Sequence, residues 1–383
     1  MATSRKSPPS NTRARSTTKN KPPNGNHLVP TESPIDWDRA ERVANSIANR
    51  RSDSLPATGP GVGLDELVPP GQLEDQIQAV TGLRSLSGPA SVHLIDRAAW
   101  IHANIASFQS MLTPLTDRWA AKITKTGPMA GFARQVAGAE IGAMLGWMST
   151  KVLGQYDVLL GNDGRGDAVY LVAPNMVALE QRFGFDAVEF RQWVLLHELT
   201  HRAQFTGVPW MRDHFKGLVA EIMQFAEPDP KQLLEGLRGI RSDRAAASQK
   251  VREGGIMGLM AGPQQQATMA KIGGLMSLLE GHGDVTMTRA AGTLVPSAQR
   301  FENILQARRR RGNPLSRLVM RLTGMEGKLN QYAAGERFIS QVEAVGGDRV
   351  VDHCWQRVEN LPSMDEIRSP QLWLARMDIV AAT

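Results

Sequence analysis

The chain has 383 residues, 42% hydrophobic and 21% charged, which allows a large buried core and excludes a wholly disordered protein. The net charge of +6 points to a polyanion partner, but Arg5, Lys6, Arg13, Arg15, Lys19 and Lys21 all lie in residues 1–34 against one acid, Glu32. The remainder is nearly neutral, which disfavours a broad nucleic-acid face.

Residues 1–34, rich in Ser, Thr, Pro, Asn and Lys, read as a disordered basic tail, and residues 35–383 as one folded domain. No apolar leader or membrane-length apolar run is present, and Cys354 is the single cysteine, so the expected location is cytoplasmic. Asp36 is placed to cap a helix running to Ile47. A Gly/Pro-rich loop from Leu55 to Gly63 follows, then a helix near Leu64–Val80 interrupted at Pro69-Pro70-Gly71. Helices are expected from Asp96 to Met111 and, separately, from Pro114 to Ile123. The stretch from Gly131 to Leu153 is apolar and rich in Ala and Gly, which predicts a buried helix packed closely on its neighbours. Tyr156–Leu160 and Ala168–Val172 are β-rich runs around a turn-forming segment, Gly161–Gly166, and predict a hairpin or two sheet strands. Either strand could accept an extended peptide by β-addition. Beyond them the pattern is helical, at about 187–206, 211–226, 230–239, 264–290, 298–308, 314–322, 327–346 and 365–381. The fold class is therefore α+β, predominantly helical, with a small sheet.

Residues 197–201 read His-Glu-Leu-Thr-His, the HExxH pattern. Positions i and i+4 share one helix face, so His197 and His201 can reach one metal ion, while Glu198, about 100° round the helix, can reach a water beside it as a general base. The surrounding sequence is helical on its own account: Asp186 and Glu189 form a candidate capping box, Phe190, Val194 and Leu195 an apolar side, and Gly207 and Pro209 a stop. A metzincin would need glycine at 204 and histidine at 207; this chain has Gln204 and Gly207, so that subtype fails. His214 then reads as a surface or supporting histidine.

A catalytic zinc needs a third protein ligand. Glu280 and Asp284 are four residues apart on a downstream helix, so Glu280 can complete a His2Glu site for one Zn2+. Asp284 can hydrogen-bond the free ring nitrogen of a zinc histidine. His282 and Asp284 are the alternative ligands. Gly281 and Gly283 are read as allowing close helix approach at the metal. Such a set fits peptide-bond hydrolysis, with Tyr332 and His353 as candidate donors to the transition-state oxyanion. Its substrate would be a peptide or protein. The rival function is an idle zinc-containing scaffold that binds a protein partner; an intact Glu198 argues against it. Arg308–Arg311, with Arg317 and Arg321, is a basic cluster read as a solvated loop.

The chain resembles an actinobacterial family of zincin-like metallopeptidases, long known as a domain of unknown function and associated with deazaflavin-cofactor biosynthesis. The resemblance rests on Asp36-Trp37-Asp38, Val80-Thr81-Gly82-Leu83, Asp96-Arg97 with Trp100, residues 152–157, Ala173-Pro174-Asn175, the stretch from Trp193 to Trp210, residues 280–284, residues 328–335 and the Leu372-to-Met377 region. It implies a zincin-like fold with the HExxH helix beside a small sheet. The Glu280-to-Asp284 spacing is similar to that of thermolysin-type gluzincins, with a longer insertion between the two motifs.

Overall fold

The computed structural model describes residues 33–50, 63–122, 128–158, 167–224, 263–292, 294–310 and 325–380. The expected tail (save residues 33 and 34), most of the 55–63 loop, the 161–166 turn and the helices at 230–239 and 314–322 lie outside these residues. So do the side chains of Tyr332, of Arg308–Arg311, of Arg317 and of Arg321.

Helix α1 (Trp37–Arg50) starts where Asp36 Oδ1 accepts from the Arg39 amide at 2.8 Å. Its apolar stripe of Ala40, Ala44 and Ala48 is buried against α4 (Pro128–Ser149). The fit depends on missing side chains: a Cβ on Gly138, Gly142 or Gly146 would fall 2.2, 2.3 or 2.6 Å from the carbonyl oxygens of Asp36, Ala40 and Ala44. The small residues expected to pack tightly therefore do so along one face of α4. Helix α3 (Arg97–Lys122) also packs on α1 and α4 and runs through Pro114 without a break, so one helix replaces the two expected. A single proline removes one amide donor but leaves the remaining turns bonded. Helix α2 (Pro70–Thr81) starts at the proline expected to interrupt it.

The sheet has three strands in the order β1-β3-β2. Strand β3 (Ala168–Val172) pairs in parallel with β1 (Ser91–Ile95) and antiparallel with β2 (Gly154–Tyr156), Tyr156 lying opposite Val169. Strand β2 thus sits two residues earlier than expected, and β1 was not expected at all. Strand β3 is paired on both edges and cannot accept an added peptide strand; only the two outer strands can.

Helix α5 (Ala173–Phe183) leads from β3 to α6 (Ala187–Gly207), which lies at the centre of the molecule. The Asp186 side chain caps α6 through the Glu189 amide at 2.9 Å, but Glu189 does not close the box; its Oε2 accepts from Ser297 N at 2.8 Å instead. Fifteen of the 21 residues of α6 are buried, so its whole circumference is in contact with protein. Its N-terminal half carries Phe190 and Trp193, which form one aromatic cluster with Phe185 and with Phe301 of α9 (Ala298–Arg310), neighbouring rings having centroids 4.8–6.2 Å apart. Helix α7 (Met211–Gln224) follows, then α8 (Pro263–Ala291), which lies alongside α6. Helix α10 (Met325–Gly346) crosses α8 where Gly281 meets Gly335. The C-terminal segment is not the single helix expected at 365–381. It forms α11 (His353–Gln356), α12 (Met364–Arg368) and α13 (Pro370–Arg376), with Pro370 opening a new helix instead of continuing α12. Among the described residues no helix is long and apolar enough to cross a membrane.

Candidate metal centre

Seven of the buried residues of α6 are polar: Arg191, Gln192, Glu198, Thr200, Arg202, Gln204 and Thr206. Burial of a polar group costs free energy unless it is bonded, and each of these has a defined partner. Arg191 makes two bonds to Glu180 of α5 at 2.8 and 3.0 Å. Gln192 Oε1 accepts from Val68 N at 2.7 Å, and Thr200 donates to Leu196 O at 2.8 Å. The rest fall on two stripes set by helical periodicity. Glu198, Arg202 and Thr206 face the sheet and the segment leading into it. His197, His201 and Gln204 face α8.

On the sheet side, Tyr156 N donates to Glu198 Oε2 at 2.8 Å. Leu153 O and Asp157 N bond to β3, so alternation turns the backbone groups of Gly154 and Tyr156 outward, toward the carboxylate. Gly154 makes the approach possible, since a Cβ there would sit 2.7 Å from Glu198 Cγ and 2.8 Å from Oε1. Burial pushes the Glu198 carboxyl up to about 7; His201 draws it down and Glu280 raises it further. One turn on, Arg202 is wholly buried and bonds Asp167, Glu74 and the Gly88 carbonyl. Asp167 enters β3 with φ of 94°, a conformation L-residues rarely adopt, and the Arg202 ion pair holds it there. Thr206 bonds Ser85 at 2.8 Å.

On the α8 side, His197 Nε2 and His201 Nε2 lie 3.0 Å apart, and Glu280 Oε2 lies 3.8 and 3.6 Å from them. These three side chains could hold a metal ion. The triangle tests the fit: a point equidistant from its corners lies about 2.0 Å from each, within the ~2.0–2.2 Å of zinc–nitrogen and zinc–oxygen bonds. Three protein donors leave a position for a further ligand, as a catalytic site requires. The two imidazoles are near-perpendicular at 83°, with ring centroids 4.4 Å apart. Burial lowers the His201 pKa, but the hydrogen bond and charge of Glu280 outweigh it and bring the group up to about 9.

The other candidates separate. His282 is buried against Trp355, rings 5.0 Å apart, and its Nδ1 accepts from Gln204 Nε2 at 2.9 Å, so it supports the site from behind rather than joining the three converging donors. Burial depresses its pKa to about 3. Asp284 lies one turn beyond Glu280 and is half-buried. His353 opens α11, half-buried, with its carbonyl accepting from Asn360 Nδ2 at 2.6 Å. His214 packs beside Trp210 at 6.0 Å. Gly283 lies under the imidazoles, but a Cβ there would meet His197 Cε1 at 3.4 Å, an ordinary contact. The tight approach is at Gly281, where a Cβ would fall 2.3 Å from the Gly335 carbonyl carbon. The close helix approach expected at the metal is therefore mainly a crossing with α10. Gln204, considered in the sequence only as a missing glycine, bonds His201 Nδ1 at 2.9 Å; its position three residues after His201 was the available signal.

Two of the stretches that carried the family resemblance meet in space without touching this cluster: Arg97 Nε donates to Asn175 Oδ1 at 2.8 Å, and Asn175 ties the end of α4 to the start of α5.

No functionally curated protein matches the chain. A protein from Chloroflexus aurantiacus of known crystal structure, provisionally described as a hydrolase with a novel fold, is 29% identical. It superposes with a TM-score of 0.65 over 90% of this chain and 99% of its own. Residues 35–374 match the family model of zincin-like metallopeptidases, and the chain belongs to that family.

Proposed function

We propose that this protein is a zinc-dependent peptidase of the gluzincin type. His197, His201 and Glu280 hold the ion, Glu198 is the general base, and Asp284 supports a ligand histidine from behind. Residues 35–383 form the catalytic domain, and residues 1–34 a basic tail outside it. The observation that carries the reading is the convergence of three donor atoms from α6 and α8 on one point at zinc-bonding distance. Zinc, when bound, supplies Lewis acidity and makes water nucleophilic near neutral pH.

The chain's own groups do the rest. Glu198, adjacent to His197 and on the flank nearest the sheet, takes the proton from the attacking water and delivers it to the leaving amine. The Tyr156 amide holds the carboxylate in place, and the absent Cβ at Gly154 lets the strand edge come that close. The match to the zincin-like metallopeptidase family supports a peptide over a small molecule as substrate. Tyr332 and His353 remain the candidates for oxyanion donor.

The test is metal analysis of the purified full chain joined to a peptide-library assay with and without chelator. One zinc per chain and chelator-sensitive cleavage are expected. A protein that binds zinc yet cleaves nothing, and is unchanged by Glu198→Gln, would leave the scaffold function instead.

A further inference from the structure

Gln204 lies on α6 three residues after His201 and is fully buried. Its Nε2 donates to Leu279 O at 2.9 Å and to His282 Nδ1 at 2.9 Å, and its Oε1 lies 2.9 Å from His201 Nδ1. The donor and acceptor roles in this chain are forced. A backbone carbonyl only accepts, so Leu279 fixes which end of the amide faces α8. The oxygen end must then face His201, and since an amide oxygen only accepts, the proton of His201 sits on Nδ1. Its other ring nitrogen, Nε2, is left to face His197 Nε2 and Glu280 Oε2. By the same reasoning His282 accepts at Nδ1 and carries its own proton on Nε2. Its ring is wedged edge-on to Trp355 at 74°, which restricts rotation out of the chain of bonds.

We propose that Gln204 and His282 are positioning residues, an amide relay that sets the tautomer and angle of His201 and fixes the register of α8 on α6. The proposal rests on the metal reading given above and deepens it. Leu279 is the residue before Glu280. A single amide therefore bonds the ring of one ligand and the peptide unit preceding another, so displacement of either donor strains the same group. Neither Gln204 nor His282 contributes an atom to the donor triangle. Partners of this kind hold ligand histidines in the orientation the metal needs, and their loss weakens metal binding by roughly 10–100-fold.

The first measurement uses the metal-free full chain labelled with 15N-histidine, with imidazole protonation read from long-range 1H–15N correlations. His282 should be neutral with its proton on Nε2, and His201 protonated on Nδ1. A His282 proton on Nδ1, or an unprotonated His201 Nδ1, overturns the relay. Gln204→Glu removes the hydrogen that His282 accepts, and should move a proton onto His282 Nδ1, a change that simple loosening of the core would not produce. Zinc affinity by chelator competition should fall by roughly 10–100-fold in Gln204→Met. His282→Phe keeps the ring packing and should lose less, because the Gln204 bonds to His201 and Leu279 remain. Wild-type affinity in Gln204→Met, with the fold intact by thermal melting, would also overturn the relay. If the wild-type chain binds no zinc, the metal reading fails separately, while the tautomers of the metal-free protein still decide the relay.

Discussion

The two polar stripes of α6 differ in what their partners are. The α8-facing stripe meets a single neighbouring helix, and two of its nitrogens with one oxygen of that helix lie within 3.0–3.8 Å of one another. The sheet-facing stripe meets backbone and carboxylates from several segments: the Tyr156 amide, Asp167, Glu74, the Gly88 carbonyl and Ser85. The first arrangement concentrates donors on a point; the second spreads them along the helix and fastens the sheet to it. The comparison teaches that one helix can carry the proposed metal ligands and the proposed base on separate faces, so the two should respond independently to substitution.

The largest expected effect tests that separation directly. Glu198→Gln keeps the shape and the bond from Tyr156 N but removes the proposed base. Turnover should fall by about 10²–10⁴-fold while zinc content and affinity stay at the wild-type value. Steady-state cleavage and metal analysis on the same preparation check both halves. A parallel loss of zinc would show that the two stripes are not separable.

Next comes Arg202. It is wholly buried and faces two acids, Glu74 and Asp167. Arg202→Met would take the cation from Glu74 and leave Asp167 with the more distant Arg212 at 3.8 Å, and should cost about 3–5 kcal/mol in stability. Urea denaturation of the metal-free chain measures it. Zinc affinity of the folded protein should change little, since no atom of the donor triangle touches this network. If stability is preserved, Arg202 does not fasten the sheet.

A pair of glycine substitutions sharpens the contrast within α8. Gly281→Ala places a Cβ 2.3 Å from backbone of α10, which cannot yield like a flexible side chain, and should destabilise by about 1–3 kcal/mol. Gly283→Ala meets His197 and His201 at 3.4–3.5 Å and should leave the fold unaltered. Thermal melts of both variants rank them; equal destabilisation would mean that α8 seats as tightly on the imidazoles as on α10.

What could be read in the sequence divides along the same physical line. Helix α6 was legible because its cap, apolar periodicity and stop are local, and the HExxH spacing acts within one helix. Glu280 was legible because its turn repeats a carboxylate at i+4. Strand β1 was not: Ser91–Ile95 is short and half-exposed, and it becomes a strand only by pairing with Ala168–Val172, far along the chain. Gln204 was hidden for the same reason, its partners lying 75 and 78 residues away. The Glu189 side chain looked like half of a capping box, and a longer-range donor, Ser297 N, claimed it. In each case a distant partner overrode or completed a local pattern.

The smallest expected effect lies outside both stripes. Glu366 of α12 accepts from Arg376 Nε at 2.6 Å and from Ser363 N at 2.7 Å. This segment packs on the first half of α8, where a Cβ on Gly274 would fall 2.7 Å from Pro362 O. Burial raises the Glu366 pKa, but the bonds from Arg376 and Ser363 outweigh it and hold the group below its ordinary 4.5. The native state therefore binds this proton less readily than the unfolded chain. Its stabilising contribution is complete above the unfolded pKa and is lost as pH falls through the folded one. Denaturation between about pH 3 and 6 should show a steeper decline for wild type than for Glu366→Gln, the two curves converging at the acid end. Because Arg376 is partly exposed, the effect should be modest. Zinc affinity near neutral pH should be the same in both, since the pair braces α8 at a distance from Glu280. If Glu366→Gln weakened zinc binding as much as Gln204→Met, the placement of Glu280 would depend on the whole length of α8 and not on the local contacts with α6.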